Sequence, residues 1–377
     1  MRIAQIAPLT EAIPPKLYGG TERVVSWLTE ELVALGHDVT LFASGDSRTA
    51  AKLAPIWPRA LRLDDTVCDP MALHIAMLEE VRRRAGEFDV LHFHLDYLPF
   101  STFSRQPTPF ITTMHGRLDL PEHQTVFNLF NSVPVISISN AQRTPVTQAR
   151  WLRTIYHGLP AALLRPRPVE PRYLAVLGRI APEKAVDRAI RIARRCNLPL
   201  KIAAKVDRVD RDYFEREIQP LLSLPGIEFV GEIGDADKSD FLSGALALLM
   251  PIDWPEPFGL VMIEAMACGT PVVAYPNGSV PEVIEHGVTG LIVESEEAAA
   301  DAIHGQLAQL SRRTIRARFD ECFTARRMAN DYVDVYRELL NVSKRRRSTG
   351  NGVTKHASQH QDGRHQSGMD GGVYVAD

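Results

Sequence analysis

The sequence predicts two α/β domains, each a doubly wound parallel sheet with helices on both faces, joined by a proline-rich hinge. Three observations carry this. Short apolar runs alternate with amphipathic stretches nearly throughout, the pattern of βαβα units. The alternation stops at Pro160, Pro166, Pro168 and Pro171 and then restarts, and prolines so close together favour an extended linker over a helix. A chain of 377 residues also exceeds what one ordinary core organises.

In the first half, strands are expected at residues 3–7, 39–43, 90–94, 110–114 and 135–138, with helices at 21–35 and 71–85. After the hinge, strands are expected at 173–177, 200–204, 227–230, 247–250, 271–274 and 290–293, with a helix at 184–196. A last helix over 325–340 carries Met328, Tyr332, Val335, Tyr336 and Leu339 on one face,. The expected division is 1–160, 161–324, a closing helix 325–343, and a disordered tail 344–377 rich in Ser, Gly, Gln and His,.

Composition excludes several classes. A net charge of −3 gives no support for a nucleic-acid partner,. Cys68, Cys196, Cys268 and Cys322 lie far apart, without metal-ligand spacing or a disulfide framework, as in a cytoplasmic protein with reduced thiols,. Residues 1–8 break at Pro8 and suit a buried strand better than a signal peptide,. No run of about 18 apolar residues marks a membrane span,. Basic residues at Arg82-Arg83-Arg84, Arg143, Arg150, Arg153 and Lys344-Arg345-Arg346-Arg347 suit either a peripheral contact with inner-membrane lipid or an ordinary solvated surface,.

Three segments carry chemistry. In Tyr18-Gly19-Gly20-Thr21-Glu22-Arg23, two glycines permit close backbone approach, Thr21 is placed to cap the next helix, and a helix start after a strand suits an anion. The GxGxxG dinucleotide fingerprint is missing. In Gly178-Arg179-Ile180-Ala181-Pro182-Glu183-Lys184, two cations fall where a strand gives way to a helix, a suitable place for a diphosphate leaving group. The third segment runs from Pro255 to Pro271 and includes Glu256-Pro257-Phe258-Gly259-Leu260 and Val261-Met262-Ile263-Glu264-Ala265-Met266-Ala267. Glu264 lies in an apolar helix, where a carboxylate is costly to bury unless hydrogen-bond donors meet it.

The Glu256/Glu264 spacing, the Phe-Gly after the first glutamate and the Glu-Ala-Met-Ala-Cys-Gly-Thr-Pro-Val ending resemble glycosyltransferase family 4. The likeness extends to the Gly19-Gly20 loop, the Arg179/Lys184 pair and the closing helix, over about residues 1–340. It implies the GT-B fold, with two Rossmann-like domains facing across a cleft, the first on the acceptor side and the second on the donor side. It further implies a retaining transferase that needs no metal or other cofactor. The donor would be a UDP- or GDP-sugar, and the acceptor a glycan, lipid or small metabolite hydroxyl.

By position, the resemblance gives Glu264 the nucleotide ribose. Glu256 takes donor-sugar hydroxyls, beside the N–H groups of Phe258, Gly259 and Leu260. Arg179 and Lys184 take the diphosphate, and Gly19 and Gly20 the diphosphate and acceptor side. His115, in Thr113-Met114-His115-Gly116, would stand near the reacting sugar. Tyr156-His157-Gly158-Leu159-Pro160 departs from the family's Asn-Gly-x-Asp stretch before the hinge.

Other readings use the same residues. A two-carboxylate glycosidase leaves Arg179 and Lys184 without a task. A nucleotide-sugar epimerase would release nucleotide without an acceptor, and a non-catalytic nucleotide-sugar-binding protein would bind without turnover. His92 and His94 alternate on a strand and share one face, but spacing supplies no third zinc ligand,.

Overall fold

The computed structural model describes residues 1–16 and 19–353, with side chains as far as residue 342. Tyr18 and residues 354–377 of the expected tail lie outside the described residues.

Two all-parallel sheets organise the chain. The first holds β1 (Arg2–Ile6), β2 (Asp38–Ser44), β3 (Lys52–Trp57), β4 (Val90–Phe93), β5 (Phe110–Thr113), β6 (Pro134–Ser137) and β7 (Arg150–Thr154), in the order β3-β2-β1-β4-β5-β6-β7. The second holds β8 (Tyr173–Ile180), β9 (Leu200–Val206), β10 (Ile227–Gly231), β11 (Ala245–Met250), β12 (Val272–Ala274) and β13 (Gly290–Ile292), in the order β10-β9-β8-β11-β12-β13. Parallel strands buried on both faces need continuous apolar runs, which Ala245–Met250 and Val272–Ala274 provide,.

β3 and β7 were not expected from the sequence. Both are edge strands: Lys52–Trp57 carries Pro55 and is half exposed, while Arg150–Thr154 carries two arginines. Pro55 argues against a strand in the first, and the arginines break the apolar run of the second,.

In each sheet the strand order reverses beside the first strand, between β1 and β4 and between β8 and β11. Ligands of open parallel sheets bind beyond the carboxyl ends at such switch points. The Gly19-Gly20 loop follows β1, the Arg179/Lys184 segment ends β8 and the Glu256 loop follows β11. Topology alone therefore brings these segments to one cleft.

The chain crosses between the sheets twice, and the crossings are bonded to each other. Leu159 N–H donates to Phe323 C=O at 3.0 Å, and Ala325 N–H to Leu159 C=O at 2.9 Å. A Cβ on Gly158 would stand 2.2 Å from Thr324 O, so only glycine fits there. The final helix runs Ala325–Val353, beyond the expected end at 340 and through the first part of the expected tail. Lys and Arg are good helix formers, and no proline stops the run,. Its Tyr332 and Tyr336 are fully buried and bond to Thr113 and Gln5 of the first sheet.

All four cysteines are free. No described helix is long and apolar enough to cross a membrane. Of the basic residues singled out in the sequence, Arg82 and Arg83 pair with Glu79, Arg84 with Glu87 and Arg153 with Glu338.

Candidate active site

A cavity of about 570 Å³ opens between the two sheets, ordinary for a small-molecule site,. Its walls include Gly19, Gly20 and His115 from the first domain. From the second come Arg179, Lys184, Glu256, Phe258, Gly259, Leu260 and Glu264. The structure thus brings every sequence-predicted site residue to one cleft.

The helix Gly20–Ala34 begins one residue earlier than expected, so Thr21 sits in its first turn rather than at its cap. Gly19 is the cap residue and makes no side-chain cap bond. A Cβ on Gly19 would press on Pro15 at 2.9 Å, which excludes a capping side chain there. Gly19, Gly20 and Thr21 at this helix start line the cavity.

Arg179 lies on β8 itself rather than in the loop beyond, because the strand continues to Ile180. Lys184 is not on the helix expected from 184. It ends a short 3₁₀ turn, Pro182–Lys184, after which Ala185 adopts a left-handed conformation (φ 50°, ψ 49°) and the helix Val186–Arg195 starts. That break separates the two cations from the helix and leaves both at the strand end. Arg179 donates to Asp210 at 2.7 Å and to Glu183 at 2.6 Å.

Glu256 accepts from Trp254 Nε1–H at 3.0 Å and from Lys184 Nζ through the same oxygen, Oε2. Lys184 Nζ also lies 4.8 Å from the centre of the Trp254 ring, a cation–π distance,. The loop is fixed from behind. Ser279 N–H donates to Glu256 C=O at 2.9 Å, and Ser279 Oγ–H to Phe258 C=O at 2.8 Å. Gly278 (φ +60°) makes this possible, since a Cβ there would stand 2.3 Å from both Glu256 N and Glu256 O,. Gly259 (φ 77°) then turns the chain into the helix Leu260–Ala267.

Glu264 is 3 % exposed, and Lys238 Nζ stands 2.6 Å from its Oε1. Lys238 also approaches Asp235 at 3.4 Å, and Asp235 accepts from Arg23 of the first domain at 2.5 Å. A charge chain therefore runs across the cleft from Arg23 to Glu264. On the other flank, Glu282 accepts from the N–H groups of Asn140 and Ala141, both at 2.7 Å, and from Tyr156 O–H at 3.0 Å. Lys238, Trp254, Gly278 and Ser279 were not singled out in the sequence. Lys238 lies in an acidic helix, Asp235–Ser243, where a lone lysine looks like an exposed surface residue.

His115 stands beyond the end of β5, with its ring stacked on His157 at 5.3 Å and 18°. His94 Nδ1 is 2.9 Å from His115 Nε2, and His94 Nε2 is 2.8 Å from Gln5 Oε1. His92 bonds Tyr336 and Thr113, and its Nδ1 also lies 3.4 Å from Gln5 Nε2. Burial pushes the His115 pKa down to about 3 and holds His92, His94 and His157 well below 6.5,. His92 and His94 do share a face, as alternation on a strand requires,. Among the described residues, no group of three or more His, Cys, Asp or Glu is disposed to hold a metal ion. His157, one of the family departures, is 4 % exposed and packs edge-on to Phe258 at 4.9 Å.

Comparison with known proteins agrees with this geometry. Residues 18–171 match the model of Glycosyltransferase Family 4, and residues 165–321 match that of Glycosyl transferases group 1. Glycogen synthase of Mycobacterium tuberculosis is 26% identical over 86% of this chain and 92% of its own. Sucrose-phosphate synthase from Thermosynechococcus elongatus superposes with a TM-score of 0.72 at 21% identity, covering 91% of this chain and 100% of that one. HepE of Anabaena, solved with UDP and glucose, superposes with a TM-score of 0.68 at 20% identity, covering 89% and 99%. The fold is GT-B, and the chain is a glycosyltransferase that belongs to family 4.

Proposed function

We propose that this glycosyltransferase moves a sugar from a nucleoside-diphosphate donor, UDP- or GDP-linked, to an acceptor hydroxyl with retention of configuration and without a metal. The observation that carries this reading is the meeting of Glu256, Lys184, Arg179 and Glu264 in one cavity at the second sheet's switch point. The structures of HepE with UDP and with UDP-glucose support a nucleotide-sugar donor by analogy.

In this reading Glu264 accepts from ribose hydroxyls and Glu256 from donor-sugar hydroxyls. As the bond from anomeric carbon to phosphate oxygen lengthens, negative charge gathers on the diphosphate. Arg179, Lys184 and the first-turn N–H groups of Leu260–Ala267 meet that charge. Fixed cations in a partly desolvated cleft need no reorganisation at that moment. The acceptor hydroxyl attacks from the leaving-group side, and its proton passes to the departing phosphate oxygen. On the first domain, Gly19 and Gly20 line the diphosphate and acceptor side, and His115 stands near the reacting sugar.

The testing experiment incubates the chain with UDP- and GDP-sugars in EDTA, with and without candidate acceptor alcohols, and follows sugar and nucleotide by NMR. The reading expects an acceptor-dependent product with the donor's anomeric configuration. Inverted product, an isomerised sugar, or strict dependence on an added divalent ion would overturn it.

A further inference from the structure

Behind His115 lies a buried relay of six side chains whose proton positions follow once the Gln5 amide is oriented as it stands in the structure,. Gln5, on β1, is fully buried. Its Nε2 lies 3.1 Å from Tyr336 Oη, and its Oε1 lies 2.8 Å from His94 Nε2. The amide nitrogen can only donate, so the Tyr336 proton is free to go to His92 Nδ1, 2.8 Å away,. His92 then carries its own proton on Nε2 and donates to Thr113 Oγ1 at 2.7 Å. The amide oxygen can only accept, so His94 Nε2 must carry a proton. A neutral His94 has a bare Nδ1, which accepts at 2.9 Å from His115 Nε2–H.

His115 is thereby left with a bare Nδ1. That atom is buried and finds no partner among the described residues. The groups around the ring are His94, the stacked His157, and Asp96, whose carboxylate accepts from the His115 backbone N–H. A buried acceptor without a partner destabilises the fold, because its lost water is not replaced. His115 itself lines the sugar-sized cavity, and a substrate hydroxyl that reaches this atom from there would satisfy it.

We propose that Gln5 and His94 are positioning residues that fix His115 as its neutral Nε2–H tautomer, so that its Nδ1 accepts a substrate hydroxyl. The substrate half rests on the donor reading above; the tautomer half stands on the relay alone. Tyr336 belongs to the closing helix, so that helix packs against the relay and bonds two of its members, Gln5 and His92. A reversed Gln5 amide would invert the relay and turn His115 Nδ1 into a donor.

The test is a two-bond ¹H–¹⁵N correlation spectrum of the full chain labelled at histidine, near neutral pH, with His94→Asn and His115→Gln used for assignment. The expected result is neutral Nε2–H tautomers for both His94 and His115. An Nδ1–H tautomer or an imidazolium at His115 would overturn the proposal, whether or not the enzyme turns over any donor. As a functional readout, His94→Leu is expected to lower kcat about five- to tenfold, the worth of one hydrogen bond, with KM little changed. His94→Asn, which keeps an acceptor near the Nδ1 position, is expected to restore much of that rate. Equal losses in His94→Leu and His94→Asn, with the His115 tautomer unmoved in both, would reduce His94 to a packing residue and contradict the assignment.

Discussion

Lys238 Nζ and Glu264 Oε1 stand 2.6 Å apart with both side chains nearly out of water, 10% and 4% exposed. The lysine comes from one helix of the second domain and the glutamate from another, so folding must bring the two charges together. Removing Lys238 leaves the buried Glu264 without this counter-charge, whereas Lys238 keeps Asp235 when Glu264 is removed. Lys238→Met is expected to cost about 3–5 kcal/mol of stability, as breaking buried pairs does. Chemical denaturation of the variant beside Lys238→Arg checks this; equal stability of all three proteins would show that the pair is unimportant.

Gly278 gives a prediction that separates activity from stability. A methyl group there would collide with Glu256 N and O at 2.3 Å. The site loop must then shift. Gly278→Ala should cost about 1–3 kcal/mol of stability. If Glu256 holds the donor sugar as proposed, donor turnover should fall about a hundredfold, because displacing a substrate-positioning group by an ångström is that harmful. Steady-state rates alongside thermal melts decide between this and a merely destabilised enzyme.

Lys184 joins Glu256 and the Trp254 ring at the point where leaving-group charge is expected. Lys184→Gln should reduce kcat about a hundred- to a thousandfold, the usual worth of one preorganised charge stabiliser. Nucleotide affinity should change much less. A matching loss in ground-state nucleotide binding, measured by calorimetry, would place Lys184 in binding rather than in charge stabilisation.

The buried histidines make stability depend on acid. Folding depresses the pKa of His115 from 6.5 to about 3 through burial, and depresses His92, His94 and His157 in the same direction. Above 6.5 both folded and unfolded chains hold these rings neutral, and their contribution is flat. Below 6.5 the unfolded chain takes protons that the folded chain refuses, so stability falls as pH drops toward 3. Each such group steepens the fall by about 1.4 kcal/mol per pH unit. Urea denaturation across this window should show the slope, and His157→Phe should make it shallower.

The fold was legible because central strands of parallel sheets are apolar on both faces, as in Ala245–Met250 and Val272–Ala274,. The edges were not legible, because Pro55 interrupts Lys52–Trp57 and two arginines break up Arg150–Thr154,. In the site, local spacing disclosed Glu256 and Glu264 and the Arg179/Lys184 segment. Their supporting residues were hidden because each acts from a distant part of the chain. Gly278 is named by a contact with the Glu256 backbone, and Lys238 by a pairing across 26 positions. Gln5 sits in an otherwise ordinary buried strand, and only the fold reveals that it faces His94.

The most direct test of the central claim is calorimetric titration of the wild-type chain with UDP, GDP and ADP in EDTA, repeated with Glu264→Gln. The account predicts that UDP or GDP binds without added metal and that the variant weakens it about tenfold or more, the cost of losing a charged hydrogen-bond partner. Absence of binding by any of the three nucleotides, or binding that Glu264→Gln leaves unchanged, would contradict the assignment of this cleft as the donor site.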